Sequence, residues 1–198
     1  MMIVTKVSLL CISMILLQEV ASAAKPTSSK KMILIPGGTF VPFESISKKE
    51  KPETPLEKTR AIESFYLDEK LVTNQDFLKF VEKSPSWRKT KVKRLFADPD
   101  YLENWVSDLS FGNLKALSPV VDVSWFAASA YCEAQGGSLP TTDQWEYALS
   151  DGGVEQSETN SKILEWYSKP TEAKAPVVGK TKNKFGRYDI GFMGWEWT

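Results

Sequence analysis

Residues 119–148 read PVVDVSWFAASAYCEAQGGSLPTTDQWEYA, and the fold is decided in this stretch. Pro119 leads into an apolar run, Val120 to Val123, that predicts a strand. Ser124 is placed to cap a helix. Trp125, Ala128, Tyr131 and Cys132 follow at i, i+3, i+6 and i+7, so one helical face is apolar. Gly136-Gly137 closes that helix. Thr141 and Gln144 stand at capping-box spacing and start a second helix, which runs through Trp145 and Tyr147 to Asp151-Gly152-Gly153.

Upstream, Met32 to Ile35 and Thr39 to Val41 predict two strands around a Pro36-Gly37-Gly38 turn. Ser45 to Thr59 is charged and carries Pro52 and Pro55, so it reads as a loop. Ser64 to Asp68 predicts another strand. Thr73 then caps a helix with Asp76 three residues on and Phe77, Phe80 and Val81 as its apolar stripe, ended by Ser84-Pro85. Downstream of Glu165 there is little helix, and Pro170, Pro176, Gly179, Gly186 and Gly191 punctuate short strands and turns. The pattern is α+β: two or three helices with irregular, Gly- and Trp-rich short strands. Seven Trp, six Tyr and ten Phe supply the core. No segment repeats at solenoid or propeller spacing.

The chain contains no His. That excludes Ser-His and Cys-His nucleophile pairs and every His-ligated metal. Twenty-five Lys and Arg balance twenty-five Asp and Glu. A protein that binds nucleic acid through phosphates needs a cationic surplus, so that class is set aside. The run Arg88 to Arg94 holds five basic residues in seven but reads as a solvated loop, with Asp98, Asp100, Glu103 and Asp108 close behind to neutralise it.

Residues 1–23 predict a cleaved export signal: Lys6, the apolar run Val7 to Leu17, then Ala21-Ser22-Ala23 as the cleavage site. The run is too short to span a bilayer, and no other stretch approaches the length needed. The expected location is periplasmic or secreted. Residues 24–31 form a polar leader. Cleavage also removes Cys11 and leaves Cys132 as the mature chain's one thiol, which then has no internal disulfide partner. On its helix Cys132 reads as a small core hydrophobe.

Four ordered segments resemble one family. They are Met32 to Phe40, Phe65 to Phe77, the 119–148 stretch, and Phe185-Gly186-Arg187-Tyr188-Asp189 followed by Trp195-Glu196-Trp197-Thr198. Together they resemble the formylglycine-generating enzyme, or sulfatase-modifying factor, family over residues 32–198. The resemblance implies a C-type-lectin-like fold. Active members oxidise a sulfatase Cys using two cysteines, copper and oxygen, and those cysteines lie downstream of the Trp-Glu-Trp-Thr motif. The expectation is therefore a domain without the catalytic part and without copper, since soft Cu(I) needs thiolates. Ser138, where the family usually has Arg, and Phe192-Met193, where it has Gly-Asn, are further departures.

The resemblance also implies a calcium site on the side chains of Asp189 and Glu196 and the backbone carbonyls of Phe192 and Gly194, a chemically sensible hard-cation set. The opposing reading has both carboxylates bonded to turn amides. Trp195 and Trp197 suggest either core packing or stacking on sugar rings. Three functions follow: an exported, non-catalytic binding or accessory module for a protein or glycan partner; the N-terminal part of a formylglycine-generating oxidase; and a calcium-dependent carbohydrate-binding module.

Overall fold

The computed structural model describes residues 31–43, 59–153, 161, 177–191, 193 and 196–198. The expected export signal, the Pro52/Pro55 loop, Trp195 and the two carbonyl donors Phe192 and Gly194 lie outside them. The described residues form an α+β unit with four short strands and three α-helices.

Strands β1 (Met32–Ile35) and β2 (Gly38–Phe40) flank Pro36-Gly37, but they do not pair with each other. β1 pairs antiparallel with β4 (Phe65–Asp68), and β2 pairs antiparallel with β3 (Arg60–Ile62). Both ladders keep one register. From Ile35↔Phe65 to Gly38↔Ile62 the step is three residues on each side. Pro36 has no N–H to give a ladder, which accounts for the break. Across it, the Gly37 N–H donates to Ser64 Oγ at 2.9 Å. A Cβ on Gly37 would lie 2.6 Å from the Ile62 carbonyl oxygen, so only Gly fits there.

Helix α1 (Asn74–Lys83) starts as the sequence predicts, with the full capping box between Thr73 and Asp76. A 3₁₀ turn, Pro85–Trp87, follows it. Helix α2 (Trp125–Ala134) is capped by Ser124. Helix α3 (Thr142–Leu149) begins at the Thr141–Gln144 capping box. Three positive-φ residues, Asp151, Gly152 and Gly153, lead the chain away from it.

The main core joins α1, α2 and the 101–105 turn. Phe77 lies 5.3 Å from Phe80, 5.9 Å from Tyr131 and 6.2 Å from Trp105, centroid to centroid. Burying each such ring contributes roughly 1.5–3 kcal/mol. A second cluster packs Ile35 and Phe40 against Tyr147, whose hydroxyl donates to the Pro36 carbonyl at 3.1 Å.

Three expectations change. Val120 to Val123 is not a strand: Val120 N–H bonds to Val72 O, and then Asp122 turns to φ +57° while its carbonyl accepts the Leu102 N–H at 2.7 Å. A left-handed residue there cannot continue a ladder. The strand β3 lies between the two segments read as loop and strand; its three residues are too few to show an alternation. On α2, Ala127 and Tyr131 are buried while Trp125 is 43% exposed, so Trp125 does not share the buried face.

Candidate functional site

A cavity of about 520 Å³ opens between β4, helix α2 and the loop that joins α2 to α3. Phe65 and Leu67 come from the strand, Ala128 and Cys132 from the helix, and Leu139 and Pro140 from the loop. Asp68, Lys70, Arg187 and Glu196 add the charges. The combination is a largely apolar wall with a few converging polar groups, which is the usual make-up of a small-molecule or peptide pocket.

Arg187 is only 4% exposed. Its Nη1 donates to the carbonyls of Tyr188 at 2.6 Å and Glu69 at 3.2 Å, and its Nη2 stands 3.7 Å from Glu196 Oε2. Its Nε is buried and has no hydrogen-bond partner among the described residues. Burial pulls the guanidinium's pKa down, and Glu196, Asp68 and Asp189 push it back up. The Glu196 carboxyl is pushed up by burial, against the opposing pull of Arg187 and of the Gly191 N–H. That N–H donates to Glu196 Oε1 at 2.7 Å.

Asp189 is also buried and stands at φ +57°. Its carboxylate gathers the backbone N–H groups of Gly179, Lys180 and Thr181, the last at 2.8 Å on Oδ1. Both oxygens of Asp189 are therefore engaged by donors, and Glu196 is held by an amide and faces a guanidinium. A calcium ion would need these carboxylate oxygens turned to it, and the other two donors of the expected set, the carbonyls of Phe192 and Gly194, lie outside the described residues. These bonds tie the two carboxylates to the turns at 179–181 and at 191. Among the described residues no three of Cys, Asp and Glu come together as a metal-holding group.

Cys132 lies half-buried on α2, beside the main core and on the cavity wall, and is not in a disulfide. Trp197 is 50% exposed, and its Nε1 donates to Val123 O at 2.7 Å; it is not a core residue. Trp125 Nε1 returns a similar bond to Thr198 O at 3.0 Å. In the basic run, Arg88 bonds to the carbonyls of Val81 and Glu82, and Lys89 to those of Glu103 and Trp105. Backbone carbonyls, more than the following acids, take up these two cations.

The sequence pattern of the sulfatase-modifying factor enzyme 1-like domain matches residues 17–198. The chain belongs to this family. Among its relatives are the formylglycine-generating enzyme of Bos taurus, 25% identical over 88% of this chain and 59% of that one, and the inactive Cα-formylglycine-generating enzyme 2 of Bos taurus, 27% identical over 84% and 69%. The serine/threonine-protein kinase pkn1 of Chlamydia caviae is 30% identical over 84% of this chain but only 27% of its own length. The chain thus spans about a quarter of the kinase relative and about three fifths of the bovine enzyme.

Within this sulfatase-modifying-factor domain, sequence reasoning overlooked Arg187 and the cavity. One signal was present: Arg187 is the one cation between Phe185 and Thr198, a Gly- and aromatic-rich stretch that also carries Asp189 and Glu196. The cavity left no mark, because strand, helix and loop supply it from distant parts of the chain.

Proposed function

We propose that this chain is an exported, non-catalytic domain of the sulfatase-modifying-factor family, C-type-lectin-like in its finer architecture, that acts as a binding or accessory module. The placement of Cys132 carries this reading. Formylglycine generation in the family runs on a pair of thiolates that hold copper. The chain's cysteines are Cys11, in the expected export signal, and Cys132, set into a helix beside the core. One helical thiol against an apolar wall offers no second soft ligand. The inactive relative supports the reading, since the family includes a protein named as lacking the activity.

The 520 Å³ cavity is then a binding pocket, and its Arg187–Glu196 pair, the arginine buried and the glutamate half-buried, shapes the floor. The test is to incubate the chain with copper, oxygen and a Cys-containing sulfatase peptide and to follow the peptide by mass spectrometry. The peptide should come through unchanged. Formylglycine in the product would overturn the reading.

The alternative is the N-terminal part of a formylglycine-generating oxidase, favoured by the chain's coverage of 59% of the bovine enzyme. Coding sequence beyond Thr198 that supplies a cysteine pair would establish it, and an immediate stop codon would dismiss it.

A further inference from the structure

One surface combines features that the cavity does not use. Arg88 and Lys89 turn inward to backbone carbonyls, but Lys91, Lys93 and Arg94 of the same loop are exposed. The next residue, Leu95, is 79% exposed, more than any other large apolar side chain among the described residues. The Phe96 ring then lies 5.3 Å from Phe126, and Phe126 lies 5.5 Å from Trp125. Phe126 and Trp125 are themselves 45% and 43% exposed. Three exposed cations thus precede an exposed leucine and a chain of ring contacts from Phe96 through Phe126 to Trp125. Asp98, Asp100 and Glu103 are also exposed here and Asp108 feels the charge of Lys91, so the five cations of the basic run exceed the four acids that follow it by one.

We propose that this edge docks on a membrane surface rich in anionic lipid. Leu95 and the Trp125–Phe126 edge enter the boundary between headgroups and acyl chains, and Lys91, Lys93 and Arg94 pair with lipid phosphates. An exposed leucine preceded by cations, with Trp and Phe beside it, is the composition of a peripheral interfacial contact. A nucleic acid suits the edge less well. Its bases need open ring faces, whereas Phe96, Phe126 and Trp125 pack edge to face on one another and Leu95 has no face to stack. A second copy of the chain also suits it less well, because a two-fold contact would set the same three cations against themselves. No helix among the described residues is long and apolar enough to cross a bilayer, so the contact would be peripheral.

Sedimentation of the full chain with vesicles tests this, using phosphatidylcholine alone and phosphatidylcholine mixed with phosphatidylglycerol. The readout is the part of the phosphatidylglycerol increment that the loop variants remove, because the apolar run Val7 to Leu17, with Lys6 before it, also binds vesicles. That increment should be present in the wild type and fall about fivefold for each of Lys91→Ser, Lys93→Ser and Arg94→Ser. Leu95→Ser, at an exposed position that leaves the fold intact, should reduce it as well. An absent increment would overturn the proposal, as would one that all four variants leave unchanged. A dimer in sedimentation equilibrium that Leu95→Ser dissolves, with no vesicle binding, would overturn it in favour of self-association.

Discussion

The guanidinium of Arg187 faces the carboxylate of Glu196 at 3.7 Å, with Arg187 almost wholly buried. The cation is held in place by carbonyls of Tyr188 and Glu69, but Glu196 is the carboxylate that faces it directly. Removing one member of such a pair strands the other in a poor dielectric. Glu196→Gln should therefore lower stability by about 3 kcal/mol. Arg187→Met combined with Glu196→Gln should cost less than the two single changes added together. Urea unfolding of the four proteins gives the coupling. An unchanged midpoint for Glu196→Gln would show that the pair does not hold the cavity floor.

Asp189 organises the 179–181 turn by accepting three successive backbone N–H bonds. Asp189→Ala should cost about 2–4 kcal/mol, since bonds to a charged acceptor exceed neutral ones. Asp189→Asn, which keeps one acceptor oxygen and tolerates the left-handed backbone, should cost about half as much. Because those oxygens already serve amides, calcium and its chelators should leave the thermal midpoint unmoved. A rise with calcium would mean that the carboxylates rearrange around the ion.

Asn74 links the start of α1 to the main core. It is buried; its Nδ2 donates to Lys115 O at 3.1 Å, and its Oδ1 accepts from Trp105 Nε1 at 3.2 Å. Asn74→Leu has similar volume but leaves both partners without a bond, at a cost of about 2–3 kcal/mol. Denaturant midpoints check this, and near-ultraviolet circular dichroism should show the Trp105 signal altered.

Asp108 accepts the N–H of Thr90 at 2.8 Å and its hydroxyl at 2.9 Å. The Thr90 N–H first, then its hydroxyl and the charges of Lys91 and Arg88, hold the carboxyl below its usual value of 3.8, although burial opposes them. The folded state thus binds the proton more weakly than the unfolded chain. Its stabilising contribution is complete above the usual carboxylate value and is lost as pH falls through the lowered one. Asp108→Asn should lower stability at neutral pH and flatten the acid limb of the profile, so that variant and wild type converge at low pH. A steeper limb in the variant would contradict the assignment.

What could be read from the sequence was local. Thr73 with Asp76, Ser124, and Thr141 with Gln144 fix three helix starts through bonds within a few residues, and all three appear where the spacing puts them. Distant bonds were not readable. Val120 to Val123 has strand composition, but the Leu102 N–H, some twenty residues away, captures the Asp122 carbonyl and the strand is lost. Trp125 fits the periodicity of a buried face yet stays half-exposed, its indole tied to Thr198. In the site, the carboxylates Asp189 and Glu196 were visible, but which atoms they would meet was not. That depends on the 179–181 turn and on Arg187, which the fold brings to them.

The unbroken register across Pro36-Gly37 also bears on the order of assembly. Segments 32–40 and 60–68 are the two arms of a single antiparallel hairpin, interrupted at one point. Bringing Phe40 to Arg60 closes a shorter length of chain than bringing Met32 to Asp68, so the inner ladder costs less entropy to form. Pairing then propagates outward past the proline, with the Gly37–Ser64 bond carrying the alignment across the gap. Substitutions in β2 and β3 should slow folding, whereas those in β1 and β4 should chiefly hasten unfolding.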